Sequence, residues 1–301
     1  MKLPSRGRRL LTSGLAAGLV LATVLAMLSL TGALRRWFPE LKANVTAWKT
    51  TTHLGAPPPS LADLPVLIGH AATPRGLVVI LSGNAGWWAI DNVLADRLRE
   101  AGWSVAGVNS LSLFRFFGGE KSPRDVADVL GRIVEAEGRK DEPVVLLGYS
   151  FGADVVAVAY GALRPEIRRR IARVVLIAPS READYAIGFG LLARSWRDFD
   201  PDVAKAILAM PRRQPICIAP QDQAPAETPC TDAAAAGATT LLVAGDHHFN
   251  GDYEGLGRAV AQALDIADRE GRAVGPTADN RGYPAGDMHA AARPATTVAP
   301  Q

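Results

Sequence analysis

The 301-residue chain is expected to fold as an α/β protein, with a mainly parallel β-sheet and helices on both faces. Two observations predict this. Short, nearly all-apolar runs recur at residues 77–81, 105–108, 144–147, 174–177, 216–218 and 239–243, each bounded by Gly, Pro, Asn or Ser. Runs of that length without polar alternation are the pattern of strands buried on both faces of a sheet. Between them lie longer stretches with apolar residues at helical spacing, and strand alternating with helix implies parallel crossovers. The 48% hydrophobic content supplies a sizeable core. A formal net charge of +3, without a basic stripe interleaved with aromatics, argues against a nucleic-acid partner.

The chain opens with Lys2, Arg6, Arg8 and Arg9, then runs from Leu10 to Leu34 without a charge, and Arg35 and Arg36 follow. A helix rising 1.5 Å per residue over that apolar stretch is long enough to cross a bilayer core. Residues 1–36 therefore read as a signal peptide or an N-terminal membrane anchor, and the poor cleavage site favours the anchor. The excess of positive charge before the apolar stretch predicts a cytoplasmic N-terminus and an exported remainder. Residues 37–60 are expected to be a linker stiffened by Pro57-Pro58-Pro59, residues 61–270 the folded domain, and residues 271–301, rich in Ala, Gly, Pro and Thr, a disordered tail.

Within the domain, helices are expected at 91–101, 122–137, 153–160 and 252–269. The second opens with Ser122-Pro123, a capping residue followed by proline at the first helical position. Arg168-Arg169-Arg170 reads as the solvated end of a surface helix, and residues 180–210 as part of a cap. Cys217 and Cys230 are the only cysteines. Export would make them a disulfide bracing the loop after one strand. Neither lies in a C-x-x-C spacing, so no zinc site or other metal is expected, and no cofactor.

The run Gly148-Tyr149-Ser150-Phe151-Gly152 stands between an expected strand and an expected helix. A G-x-S-x-G on such a turn is the nucleophile elbow of the α/β-hydrolase fold, with Ser150 as nucleophile. The glycines keep β-carbons out of a tight turn, and the Phe151 N–H at the helix start is the natural oxyanion donor. A serine needs a base. Of five histidines, His247 and His248 follow the last expected strand, where this fold places its catalytic histidine. His247, nearer the strand end, is favoured, with His248 as the alternative. The triad acid belongs after strand 216–218, where Asp222 comes first and Glu227 and Asp232 are alternatives. The loop Ser82-Gly83-Asn84-Ala85-Gly86-Trp87-Trp88 follows the first strong strand. Its Asn84 N–H is the candidate second oxyanion donor; the same loop also reads as a Gly-rich turn capped by core tryptophans.

Four segments together resemble the VirJ/AcvB family of bacterial virulence-associated proteins: Leu81-Ser82-Gly83-Asn84-Ala85-Gly86-Trp87, Gly107-Val108-Asn109-Ser110-Leu111, Gly148-Tyr149-Ser150-Phe151-Gly152-Ala153-Asp154 and His247-His248-Phe249-Asn250-Gly251-Asp252-Tyr253. Cys217 and Cys230 fall where the family's pair is expected. The resemblance implies a periplasmic serine hydrolase that cleaves the aminoacylated phospholipid lysyl-phosphatidylglycerol; the N-terminal apolar segment would tether it to the inner membrane. Its implied partners are the phospholipid, the membrane and components of type IV secretion. Asn84, Asn109 and Asn250 stand where the family often has Asp, which weakens recognition of a cationic lysyl group. Two other readings stay open: a non-catalytic accessory factor of secretion on the same scaffold, and a lipase or thioesterase of other specificity.

Overall fold

The computed structural model describes residues 53–114, 121–185 and 201–274. The expected anchor at 1–36, most of the linker, part of the cap and the tail beyond residue 274 lie outside them. The described residues up to Leu264 form one compact unit; residues 265–274, helical, belong to a second. Among the described residues no helix is long and apolar enough to cross a membrane.

Among the described residues seven strands are present: β1 (Val66–Gly69), β2 (Leu77–Leu81), β3 (Ser104–Val108), β4 (Val144–Tyr149), β5 (Ile171–Ile177), β6 (Pro215–Pro220) and β7 (Thr239–Val243). They form one sheet in the order β1-β3-β2-β4-β5-β6-β7. Only β1 runs antiparallel, pairing Val66 with Val108. The six expected strands all form, and β1 adds a short edge strand. Its outer side is covered by the segment before it, where Gly55 bridges Ile68 and Leu54 is buried.

The described helices are α1 (Ala89–Glu100), α2 (Ser110–Phe114), α3 (Pro123–Glu137), α4 (Phe151–Ala162), α5 (Pro165–Arg168), α6 (Val203–Leu208), α7 (Cys230–Ala235) and α8 (Tyr253–Val274). Helix α3 starts where the Ser-Pro pair predicts. The Ser122 hydroxyl accepts from the Asp125 N–H at 3.2 Å, and the Asp125 carboxylate accepts from the Ser122 N–H at 2.7 Å. Such a reciprocal cap satisfies two helix-end donors at once. Leu77, Val79 and Leu81 of β2 join a core cluster with Leu130 and Ile133 of α3 and Val155 of α4. Val78 and Ile80 point the other way and are equally buried, as are Leu94 and Leu98 of α1. Each such side chain withdrawn from water contributes about 1.5–3 kcal/mol, which is why β2, buried on both faces, carries no polar residue.

β7 departs from the expectation of strands buried on both faces. It lies at the sheet edge, and Leu242 is 72% exposed. The strand order reverses between β2 and β4, since β3 lies on one side of β2 and β4 on the other. In open parallel sheets the crevice beyond the carboxyl ends of the strands at such a reversal is where reacting groups collect.

Candidate active site

The loops after β2 and β4 meet at that crevice. Ser150 stands alone between β4 and α4 with φ 52° and ψ −122°, a conformation that side-chain-bearing residues rarely adopt. Strain of this kind costs about 1–3 kcal/mol and persists only where packing enforces it. Here two close approaches enforce it. A β-carbon on Gly148 would lie 2.3 Å from the Gly152 carbonyl oxygen, and one on Gly152 would lie 2.1 Å from the Leu81 carbonyl oxygen. The elbow is therefore pressed against its own helix start and against the end of β2.

The Ser150 Oγ lies 2.8 Å from Nε2 of His247. Of the two histidines that sequence leaves open, the structure brings His247 to the serine. His248 turns aside: its Nδ1 lies 2.9 Å from the Tyr149 hydroxyl. The same hydroxyl donates to the His247 main-chain carbonyl at 3.2 Å. The histidine loop is shaped from within by Asp246, whose Oδ1 accepts from the His248 N–H at 2.9 Å and the Asn250 N–H at 3.2 Å. Burial pushes the His247 imidazole below its ordinary range, and His248 adds to this, while the neighbouring Asp246 opposes it. Asp246 thus acts on the backbone of the loop, as its closeness in sequence implies.

Asp222 lies in the expected loop after β6, and its N–H donates to the Gly245 carbonyl at 3.1 Å, joining that loop to the one after β7. Its side chain is exposed, and the structure does not bring its carboxylate to His247. No other described carboxylate hydrogen-bonds the His247 ring. Glu227 is exposed as well, and Asp232 pairs with Arg181 at 2.9 Å. Cys217 and Cys230 form a disulfide that closes this loop, linking β6 to the first residue of α7.

On the oxyanion side, Phe151 is the first residue of α4, where a helical N–H has no intrahelical acceptor. Asn84 lies exposed on the turn closed by the Gly86 N–H and the Gly83 carbonyl. This loop is tied to the one after β3: the Ser110 N–H donates to the Ser82 hydroxyl at 3.0 Å, and the Ser110 hydroxyl donates to the Ser82 carbonyl at 2.6 Å. Its two tryptophans divide. The Trp87 ring covers Gly107 and its Nε1–H reaches Asn92, whereas Trp88 is 46% exposed.

Sequence reasoning missed three groups around the site. Tyr149 is one. The others are buried carboxyls on the first turns of the flanking helices. Asp91 accepts the Trp88 N–H at 2.8 Å, and burial pushes it up to about 7. Asp154 accepts the Ser180 N–H at 2.7 Å, and burial pushes it up to about 8. Acidic residues on a first helical turn look like ordinary caps in sequence, which hides their burial. Among the described residues no group of three or more His, Cys, Asp or Glu is arranged to hold a metal ion.

The fold is that of the α/β-hydrolases. Est1E from Butyrivibrio proteoclasticus aligns with a TM-score of 0.51 at 12% identity, covering 68% of this chain and 94% of that one. An esterase domain from Rhodothermus marinus aligns at 0.47 with 12% identity, covering 69% and 92%. A lid-less α/β serine hydrolase from Xanthomonas campestris aligns at 0.47 with 18% identity, covering 73% and 95%. No curated protein matches the chain. The sequence pattern of the bacterial virulence protein (VirJ) family matches residues 76–268, a span that runs from β2 through the elbow and the histidine loop into α8. With well over half of its length matched, and with the matched part containing the whole Ser150–His247 arrangement, the chain belongs to the VirJ family of bacterial virulence proteins.

Proposed function

We propose that the protein is an exported serine hydrolase that cleaves a carboxylic ester, with lysyl-phosphatidylglycerol as its substrate. The observation that carries the chemistry is the 2.8 Å contact between the Ser150 Oγ and His247 Nε2 on a strained elbow. The lipid substrate rests on the resemblance to the VirJ/AcvB family, and export on the apolar N-terminal segment together with the Cys217–Cys230 disulfide.

In this reading the Ser150 Oγ attacks the ester carbonyl while His247 Nε2 takes its proton. The carbonyl oxygen, now negative, accepts from the N–H groups of Phe151 and Asn84. Collapse breaks the bond to the leaving alcohol, phosphatidylglycerol, which takes the proton from His247. Water then attacks the lysyl-serine ester with His247 again as base, and lysine leaves. The depressed basicity of His247 keeps the imidazole neutral, hence competent as a base, at neutral pH.

The test is release of lysine from lysyl-phosphatidylglycerol in vesicles by the wild-type protein and by Ser150→Ala. Release that depends on Ser150 supports the reading, and equal release by both proteins overturns it.

A further inference from the structure

We infer that Tyr149 and His248 form a positioning pair that holds the main chain of His247, and through it the imidazole, at Ser150; this rests on the hydrolase reading above.

The inference begins with proton counting. A phenol has a single O–H, so the Tyr149 hydroxyl can donate to one acceptor at a time. It lies 3.2 Å from the His247 carbonyl, to which it donates, and 2.9 Å from His248 Nδ1. Both contacts are hydrogen bonds only if Nδ1 of His248 carries a proton and donates to the phenol oxygen. The pair thus selects the Nδ1–H tautomer of His248. The chain of donors then runs from the His248 ring to the Tyr149 oxygen and on to the carbonyl of the base itself. Asp246 fixes the same loop from its other side through the His248 and Asn250 N–H groups. The His247 ring lies 5.9 Å from the Tyr149 ring and 5.2 Å from the His248 ring, centre to centre.

Position explains why a tyrosine serves here. Tyr149 is the last residue of β4 and the neighbour of Ser150, and it is buried. The strand that presents the nucleophile therefore also holds the loop that presents the base, although the two hydrogen-bonded partners are separated by 98 residues of chain. Asp222, in contrast, is exposed and reaches the histidine loop only through its backbone bond to Gly245.

The experiment combines rate, labelling and spectroscopy on the whole chain. Ester hydrolysis and the rate of labelling by a fluorophosphonate are measured for wild type, Tyr149→Phe, His248→Asn, His248→Ala and Asp222→Asn. Misplacing a reacting group by an ångström lowers its rate about a hundredfold, so Tyr149→Phe is expected to lose kcat and labelling rate on that scale while KM holds. The Asn amide can donate from the place of Nδ1–H, so His248→Asn is expected to keep more kcat than His248→Ala. Asp222→Asn is expected to cost less than Tyr149→Phe. A nitrogen-15 spectrum of His248 is expected to show the Nδ1–H tautomer in wild type and to change in Tyr149→Phe. Wild-type kcat in folded Tyr149→Phe, equal rates for the two His248 variants, the Nε2–H tautomer at His248, or a larger loss in Asp222→Asn than in Tyr149→Phe overturns the inference. Failure of Ser150 to label in wild type overturns the hydrolase reading itself, an outcome recognised apart from the others because it precedes every variant.

Discussion

Ser150 and His247, separated by 97 residues in the chain, are joined by a 2.8 Å contact between a hydroxyl and a ring nitrogen. Burial and the neighbouring His248 both lower the basicity of that ring. A base acts in its neutral form, so a lowered pKa extends activity to lower pH. The acid limb of kcat/KM is therefore expected below pH 6.5, the ordinary value for histidine. A pH–rate profile with its acid limb at or above that value contradicts this description of the site.

Gly152→Ala is expected to abolish activity while leaving much of the fold intact. The new methyl would sit 2.1 Å from the Leu81 carbonyl oxygen and 2.6 Å from that of Ser82, both backbone atoms that cannot swing away. The elbow must back out of its seat, carrying Ser150 away from His247. Overpacking of this kind costs about 1–3 kcal/mol. Urea denaturation measures the destabilisation, and fluorophosphonate labelling reads the displaced serine.

Reduction of the Cys217–Cys230 disulfide, or Cys230→Ser, is expected to lower stability by about 3 kcal/mol, the loop-closure contribution for a loop of this order. Cys217 lies fully buried within β6, so the loss falls on the sheet as well as on the loop that bears Asp222. Thermal unfolding with and without reductant gives the comparison.

Stability is expected to fall as the pH rises from about 4 to about 8. Asp154 binds its proton more tightly folded, up to about 8, than unfolded, near 3.8. Between those values the folded state holds the extra proton, so its contribution is present at low pH and is lost as the pH climbs through the folded value. One such group gives a slope of about 1.4 kcal/mol per pH unit in that window. Asp154→Asn keeps an acceptor for the Ser180 N–H and removes the titration, so its urea midpoint is expected to vary less between pH 5 and pH 8 than that of the wild type. An unchanged slope in the variant overturns the assignment.

The fold was legible where burial is complete. Runs such as 77–81 and 144–147 have both faces covered, and apolar residues suit that, so the run itself marks the strand. β1 escaped notice because it is four residues long and antiparallel, with no helix setting it off from its neighbour. β7 was legible as a strand but not as an edge, since edge position depends on topology. At the site, the elbow announced itself through its two glycines, and the histidines through their place after β7. The choice between His247 and His248 depends on side-chain directions that the Tyr149 hydroxyl helps to set from a distant part of the chain. Asp222 shows the converse: chain order places it in the loop after β6, while the orientation of its carboxylate depends on the turn that carries it.

Tyr149 and Ser150 are successive residues, and the phenol of the first holds the carbonyl of His247. Hydroxyl and imidazole are thereby referenced to one peptide unit, so a shear of the sheet that shifts β4 carries both without changing the gap between them. Asn84 follows a different strand and does not share that reference. In the proposed reaction, breathing between β2 and β4 would therefore move the Asn84 donor before it changes the Ser150–His247 gap, and the lifetime of the acyl intermediate would be a more sensitive gauge of such motion than the reactivity of the serine.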